Sequence, residues 1–433
     1  MATPELHNHH NVYILGAGFS ADAGLPIIAK FMAVMRLAAS KYAEEGCDEE
    51  RDAIATVLEY RLRAAAAAYR CPIDPDNIED LFSLIDAEEG TGGPADYNKK
   101  IRLAIAGTID YAHRGYAATP TQLAAAFDNA PGITDCARWK KHPSIYKQHL
   151  MPLYDAYLAA MIGCLYERPP ERRDTIISFN YDTLVEDALT HLDRPYSYGF
   201  LTEEYTDGKG GGFVTYDTKD LPLLRKGYQQ EGAIDVLKLH GSVNWGLRST
   251  QSEFVHTKGQ AQTFNELIIY PTFNNLRAND IDRIFIEPPT WRKGQNAPGG
   301  GIASVWSAAL KGLRAASRIV IMGYSLPLTD VHFRYLLAAG LRENISLQEI
   351  IFVNHDLTEG TPKYDAMVSR IFQVLRRELH DRQIIQFVGQ DIYHALIPAS
   401  YGPVASTAAS AVFAKLNPNA GNRLGPFSGS HIE

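Results

Sequence analysis

Cysteine is scarce in this chain, and none of it is paired by spacing. Cys47, Cys71, Cys136 and Cys164 are the full set in 433 residues, and no two form a Cys-x-x-Cys. That excludes a zinc knuckle and a disulfide framework, leaving buried free thiols and no metal as the expectation. No apolar run approaches the roughly 20 residues that a membrane helix needs. The opening MATPELHNHH has no signal-peptide core, so a cytoplasmic protein without membrane attachment is expected. An excess of positive charge is also missing. The 42 Lys and Arg stand against 50 Asp and Glu, a net charge of −8, so no direct nucleic-acid binding is expected. There is no Walker motif and no internal repeat.

What is present begins at NVYILGAGFSADAGLP, residues 11–26. Val12, Tyr13, Ile14 and Leu15 form a short run of strand formers ended by Gly16. Such a run reads as a strand covered on both faces. Pro26 suits the first turn of a helix, and the stretch to Glu45 is helix-permissive. The glycines therefore sit on a strand-to-helix turn, which aims backbone N–H groups at an anion, usually phosphate. Gly16 permits the tight turn, and Gly18 lets the backbone approach a ligand. Gly16-x-Gly18-x-x-Ala21 is a loose dinucleotide fingerprint that occurs often by chance. The second strand with an acidic residue about 20 positions on, which a dehydrogenase needs, is absent, and hydride transfer is disfavoured.

From about residue 27 to 168 the patterns are helical, including NIEDLFSLID (77–86) with Asn77 or Asp76 as N-cap. Strand patterns return at DTIISFNYD (174–182), IDVLKLHG (234–241), ELIIYP (266–271), RIVIMGYS (318–325), EIIFVNHD (349–356) and RQIIQFVG (382–389). Helical stretches follow several of them. The alternation predicts an α/β fold, a doubly wound, mostly parallel Rossmann-like sheet with a helical insertion subdomain. A flexible insertion is expected at about 200–232, around TDGKGGGF, and a disordered tail at 416–433, leaving 1–415 as one domain.

Ligands of open α/β sheets bind beyond the carboxyl ends of the strands. There the sequence puts Asn180, Tyr181 and Asp182 after IISF, His240-Gly241-Ser242 after VLKL, and Asn354-His355-Asp356 after IIFV. Two glycine turns, Gly16-Ala17-Gly18 and Gly323-Tyr324-Ser325, end two further strands. Singly, each has an ordinary explanation. Asn180 or Asp182 would cap the next helix, His240 would be a satisfied core histidine, and Asn354 and Asp356 would form a turn. Their coincidence at five strand ends favours a site.

In order, GAGFSADAGLP, FNYD, LHGS, GYSL and VNHD resemble the sirtuin-type NAD-binding domain, and most closely its divergent bacterial branch found in anti-phage defence. The resemblance is spread over about residues 11–356. It implies that Gly16, Ala17, Gly18 and Ser20 surround the NAD pyrophosphate. It places Asn180 and Asp182 beside the nicotinamide ribose, His240 as the catalytic histidine, Gly323 and Ser325 near the phosphates and adenosine ribose, and Asn354 near the adenosine. Three departures set the chain apart from protein deacylases. It lacks their four-cysteine zinc module. Ile27 and Ile28 follow Leu25-Pro26 where they carry an arginine. Asn180 and His240 stand 60 positions apart, a wider gap than expected of a deacylase.

The chemistry implied is cleavage of the nicotinamide–ribose bond through an oxocarbenium-like state. Asn180 would position a water. His240 would accept its proton, since an imidazole titrates at about 6.5 unperturbed. Asp182 would orient Asn180 or stabilise positive charge. The expectation is an NAD+ hydrolase using NAD+ as substrate. The competing readings are an NAD-dependent deacylase or ADP-ribosyltransferase, and a non-catalytic NAD or ADP-ribose sensor or assembly subunit. Family precedent implies a homo-oligomer and a partner such as a HerA-type ATPase.

Overall fold

The structure is a computed structural model. It describes residues 10–88, 96–124, 150–163, 173–199, 213–216, 234–252, 262–278, 283–287, 301–327, 330–397, 412 and 415–416. Cys136, Cys164, most of the 200–232 segment and residues 417–433 lie outside them.

The strands in chain order are β1 His10–Leu15, β2 Gln122–Ala124, β3 Leu150–Pro152, β4 Arg173–Ser178, β5 Tyr196–Ser197, β6 Phe213–Tyr216, β7 Ile234–Lys238, β8 Gly241–Ser252, β9 Gln262–Ile269, β10 Arg283–Ile286, β11 Arg318–Met322, β12 Glu349–Val353 and β13 Ile385–Val388. The helices are α1 Ala17–Ser20, α2 Ile28–Glu45, α3 Asp48–Ala68, α4 Ile78–Glu88, α5 Tyr97–Ala118, α6 Leu153–Met161, α7 Leu184–His191, α8 Phe273–Arg277, α9 Gly301–Ala315, α10 Val331–Arg342, α11 Pro362–Val374, α12 Arg377–Asp381 and α13 Ile392–Leu396.

The main sheet runs β13-β12-β11-β1-β4-β7-β5, and its pairings are all parallel. The chain builds outward from β1 through β4 to β7, then returns to β11 on the other side of β1 and continues to β12 and β13. With the two-residue edge strand β5 set aside, this is the strand order 3-2-1-4-5-6 of doubly wound dinucleotide folds. The expected α/β sheet is therefore present. Register aligns the strand ends: Leu15 pairs with Ser178 and Met322, Ser178 with Lys238, Met322 with Val353, and Val353 with Val388. The residues that follow these six strands consequently emerge along one edge.

Every residue of β1 is buried, as a continuous apolar run requires. Helix α9 packs across β1, β4 and β7. On β1, Tyr13 donates its hydroxyl to the Met161 carbonyl of α6, a helix buried along its full length. Fully burying each Val, Ile or Leu contributes roughly 1.5–3 kcal/mol, which makes this strand a fixed platform for the turn after it.

Two expectations need correction. ELIIYP is a strand, but β9 belongs to a second sheet, β10-β8-β9-β6, where it pairs antiparallel with β8. The chain turns back after His240, and Val243, Trp245 and Leu247 of β8 are buried. This gives ELIIYP a nearer partner than the parallel sheet. Pro26 also does not open a helix directly after the glycines. The turn leads into α1 and a 3-10 turn, Ala21–Ala23, which ends at left-handed Gly24. Helix α2 starts at Ile28, two residues beyond the proline.

Candidate functional site

The switch point of the sheet lies between β1 and β11, and the two glycine turns end these two strands. They interlock. Gly16 N–H donates to the Met322 carbonyl at 3.1 Å, Gly18 N–H to the Gly323 carbonyl at 2.8 Å, and Gly323 N–H to the Val353 carbonyl at 3.1 Å. A Cβ on Gly16 would come within 2.6 Å of the Tyr324 Cα, and one on Gly18 within 2.8 Å of the Gly323 oxygen. Gly323, at φ +61°, abuts the Phe19 backbone nitrogen. The glycines thus serve first to let two turns touch. The Gly18 N–H, expected to face an anion, is used inside this lock. Ala17 is the first residue of α1, so its N–H has no partner within that helix.

The turn after β4 is bound to the first glycine turn. Asn180 donates its amide hydrogens to the Gly16 carbonyl at 2.9 Å and to Ser20 Oγ at 2.8 Å. Ser20 in turn donates to Asp182 Oδ2 at 2.7 Å. Asp182 Oδ1 accepts the Leu184 N–H at 3.1 Å, at the start of α7. A carbonyl only accepts, so Gly16 fixes which end of the Asn180 amide is nitrogen. What Asn180 offers a ligand is therefore its Oδ1, an acceptor. Asp182 holds Ser20, which holds Asn180, and it accepts the first N–H of α7 at the same time. Behind this turn Lys238 of β7, 1% exposed, donates to the Asp182 carbonyl and pairs with Glu186 at 3.4 Å. Burial pushes the Glu186 carboxyl up despite that lysine.

His240 sits in an aromatic cluster. Phe179 meets its ring edge-to-face at 5.0 Å and stacks on Tyr324 at 4.4 Å, and Phe333 of α10 packs edge-on against both Phe179 and Tyr324. Tyr324 donates its hydroxyl to Asp330 Oδ2 at 2.7 Å. Burial, with the charge of Asp330, raises the Tyr324 phenol well above its ordinary value and keeps it a donor. The same Asp330 oxygen lies 3.8 Å from His240 Nε2. Gly241 follows at φ +78°, and a Cβ there would overlap the Phe285 carbonyl of β10. The His240 carbonyl accepts the Glu287 N–H at 2.7 Å.

A cavity of about 470 Å3 joins these groups, a size within the range of small-molecule sites. Ala17, Gly18, Ser20, Asn180, Asp182, His240, Gly323, Ser325 and Asn354 all line it. Gly16 does not, because it lies in the interlock behind. Asn354 also keeps its turn-forming role, accepting the Asp356 N–H through Oδ1 at 3.0 Å. The opposite wall comes from the helices between β1 and β4: Phe31 of α2, Ile78, Glu79 and Phe82 of α4, and Ile105 and Ile109 of α5. Asn77 accepts the Glu79 N–H at 2.9 Å at the head of α4, as its N-cap pattern predicts. Residues that sequence reasoning missed are Glu79, Phe179, Tyr324, Asp330 and Lys238. A lysine inside the apolar run VLKL, and an aspartate soon after a Gly-x-Ser turn, were the signals available.

The charge of the cavity is one-sided. Asp22, Glu79, Asp182, Asp330, Asp356 and Asp391 line it together with His240 and His355, and no Lys or Arg does so among the described residues. Such a field favours a cationic group or a transition state that develops positive charge. A phosphate would have to rely on backbone N–H groups. Among the described residues, no group of three or more His, Cys, Asp or Glu side chains is placed to hold a metal ion, and no single helix is long and apolar enough to cross a membrane.

Fold and site together define a doubly wound α/β protein whose cleft at the switch point has an apolar wall and acidic charged groups. A model of the SIR2-like domain matches residues 174–366. The match supports a sirtuin-like family and takes in Asn180, Asp182, His240, Gly323, Ser325 and Asn354, starting after the first glycine turn. No curated protein matches the chain. Among solved structures, the chain is similar to a mutant of Sir2 homologues in complex with 2'-O-acetyl ADP ribose, at 14% identity and TM-score 0.32, covering 86% of this chain and 94% of that one. It is also similar to a Sir2 homolog–NAD complex, at 14% identity and TM-score 0.28, covering 86% and 91%. A Sir2–p53 peptide–NAD+ structure matches at 13% identity and TM-score 0.31, covering 89% and 90%. These TM-scores all lie below 0.5, so the weight falls on the family-model match and the geometry of this chain.

Proposed function

We propose that the chain hydrolyses NAD+ at the nicotinamide–ribose bond. The observation that carries this is the single cavity in which both glycine turns, the Asn180 acceptor and the His240 imidazole converge. The family-model match supports it. In the proposed step, Asn180 Oδ1 accepts a hydrogen bond from a water, and His240 takes the water's proton. The water oxygen bonds to the ribose C1', and the C1'–N bond breaks with its electron pair leaving on nicotinamide, which departs neutral. The proton on His240 passes to solvent, and ADP-ribose is the second product. The carboxylate-rich lining suits the cationic nicotinamide and the oxocarbenium-like state.

Incubation with NAD+ in 18O-labelled water tests this reading. Nicotinamide release with one labelled oxygen on ADP-ribose is expected. Consumption of NAD+ only when an acylated peptide is present would instead mean deacylation, and tight NAD+ binding without release would mean a sensor. The motif resemblance extends the proposal to NAD+ depletion in bacterial anti-phage defence, in the cytoplasm, by a homo-oligomer restrained through a HerA-type ATPase partner. Co-expression of the two genes that yields only the free chain would count against that partner.

A further inference from the structure

We infer that Asp330 is a positioning residue for His240, forming with it a coupled carboxylate–imidazole pair that holds the ring and stabilises its protonated form. Asp330 Oδ2 and His240 Nε2 are 3.8 Å apart, with side chains 2% and 6% exposed. That separation is an ion-pair distance once the ring is protonated and is longer than a hydrogen bond. Such contacts tighten when the reacting groups assemble. Three features hold the pair in place. Tyr324 donates to the same Oδ2 at 2.7 Å. Phe179 and Phe333 pack around Tyr324, and Phe179 also packs against the imidazole. Both side chains line the one cavity.

Other charged groups approach His240 from neighbouring elements. Glu79 comes from α4, and Glu287 follows β10 with Arg102 of α5 at 3.5 Å from it. Asp182 and Tyr181 lie on the turn after β4, and Lys238 lies on β7 behind it. Asp330 meets the imidazole at an ion-pair distance, with its Oδ2 3.8 Å from Nε2. The carboxylate therefore has two effects on the proton step. It raises the ring's affinity for the proton taken from water, and it fixes where the ring points. The kinetic consequence rests on the hydrolase reading above, but the coupling itself does not.

The test separates the two. The His240 ring is titrated by NMR in the wild type and in Asp330→Asn, with His240→Gln used to assign the signal. The titration is expected to fall by about one pH unit or more in Asp330→Asn, and Asp330→Glu, which keeps the charge, should restore most of it. With NAD+ as substrate, the acidic limb of the kcat/KM profile should move down by the same amount, and kcat should fall roughly 10-fold or more. A merely structural aspartate would lower activity without moving that limb. If Asp330→Asn does not fold, the wild type still decides. The Asp330 carboxyl carbon must shift with the same inflection as the His240 ring. An unmoved His240 titration in Asp330→Asn, or an Asp330 resonance indifferent to His240 protonation, overturns the inference. A chain that shows the coupling yet releases no nicotinamide keeps the pair and refutes the hydrolase.

Discussion

The turns after β4 and β7 stand side by side on one sheet edge, yet they are built differently. After β4, both amide hydrogens of Asn180 and both oxygens of Asp182 are bonded within the protein at 2.7–3.1 Å. After β7, His240 meets a carboxylate at 3.8 Å, and Phe179 packs edge-on against its ring. The first turn is set before any ligand arrives and presents one fixed acceptor. The second keeps slack in a contact through which a proton affinity can be tuned. A site that must hold a water still and also accept its proton needs both kinds of construction.

Breaking the fixed turn should have the largest effect on turnover. Asn180→Ala removes the acceptor and the tie to Gly16, and nicotinamide release should drop about 10²–10⁴-fold. Circular dichroism should show the fold retained. A smaller loss than that would mean water is positioned elsewhere.

Support for the same turn can be removed from behind. Lys238→Met breaks the buried pair with Glu186 and the bond to the Asp182 carbonyl. Losing one partner of a buried pair costs about 3–5 kcal/mol, readable in denaturant unfolding. The sign with pH follows from Glu186. Its folded carboxyl is already raised by burial, so the native state binds a proton more tightly than the unfolded chain does, and removing the lysine strengthens that preference. The lysine-free variant should therefore recover stability as pH falls from about 8 towards 5. A cost independent of pH would place the damage in packing rather than charge.

The smallest effect expected is on the contact between the site's wall and its floor. His113 of α5 pairs with Asp187 of α7 at 3.1 Å. Burial opposes the imidazolium, but the hydrogen bond and charge of Asp187, with Asp182 and Asp110, outweigh it, and the histidine is raised. A raised histidine stabilises fully below its unfolded value of about 6.5 and loses that contribution as pH rises through the folded value. Asp187→Asn should lower the melting temperature more at about pH 6 than at about pH 8.5. Equal losses at both would remove His113 from the account.

The sheet was legible because its strands are continuous apolar runs ended by glycine or asparagine, and such runs cannot be left in water. The polar ends could be read for the same reason. What could not be read was which turns touch. The interlock of Gly16 and Gly18 with Gly323 depends on β1 and β11 being neighbours, although the two turns are about 300 positions apart. The apolar wall was hidden because Phe31, Phe82 and Ile105 look in sequence like ordinary core of amphipathic helices. The second sheet was missed at β8, where the alternation of Val243, Trp245 and Leu247 is diluted by polar neighbours. Glycine permits two readings, close approach to a ligand or to another backbone, and Gly18 both abuts the Gly323 backbone and lines the cavity.

The most direct measurement is nicotinamide release from NAD+ by the wild type beside His240→Ala, with NAD+ binding measured for both. The account predicts release by the wild type, a loss of about 10²–10⁴-fold in the variant, and comparable binding by the two. Equal release by both proteins, or none from a wild type that binds NAD+ tightly, would contradict it.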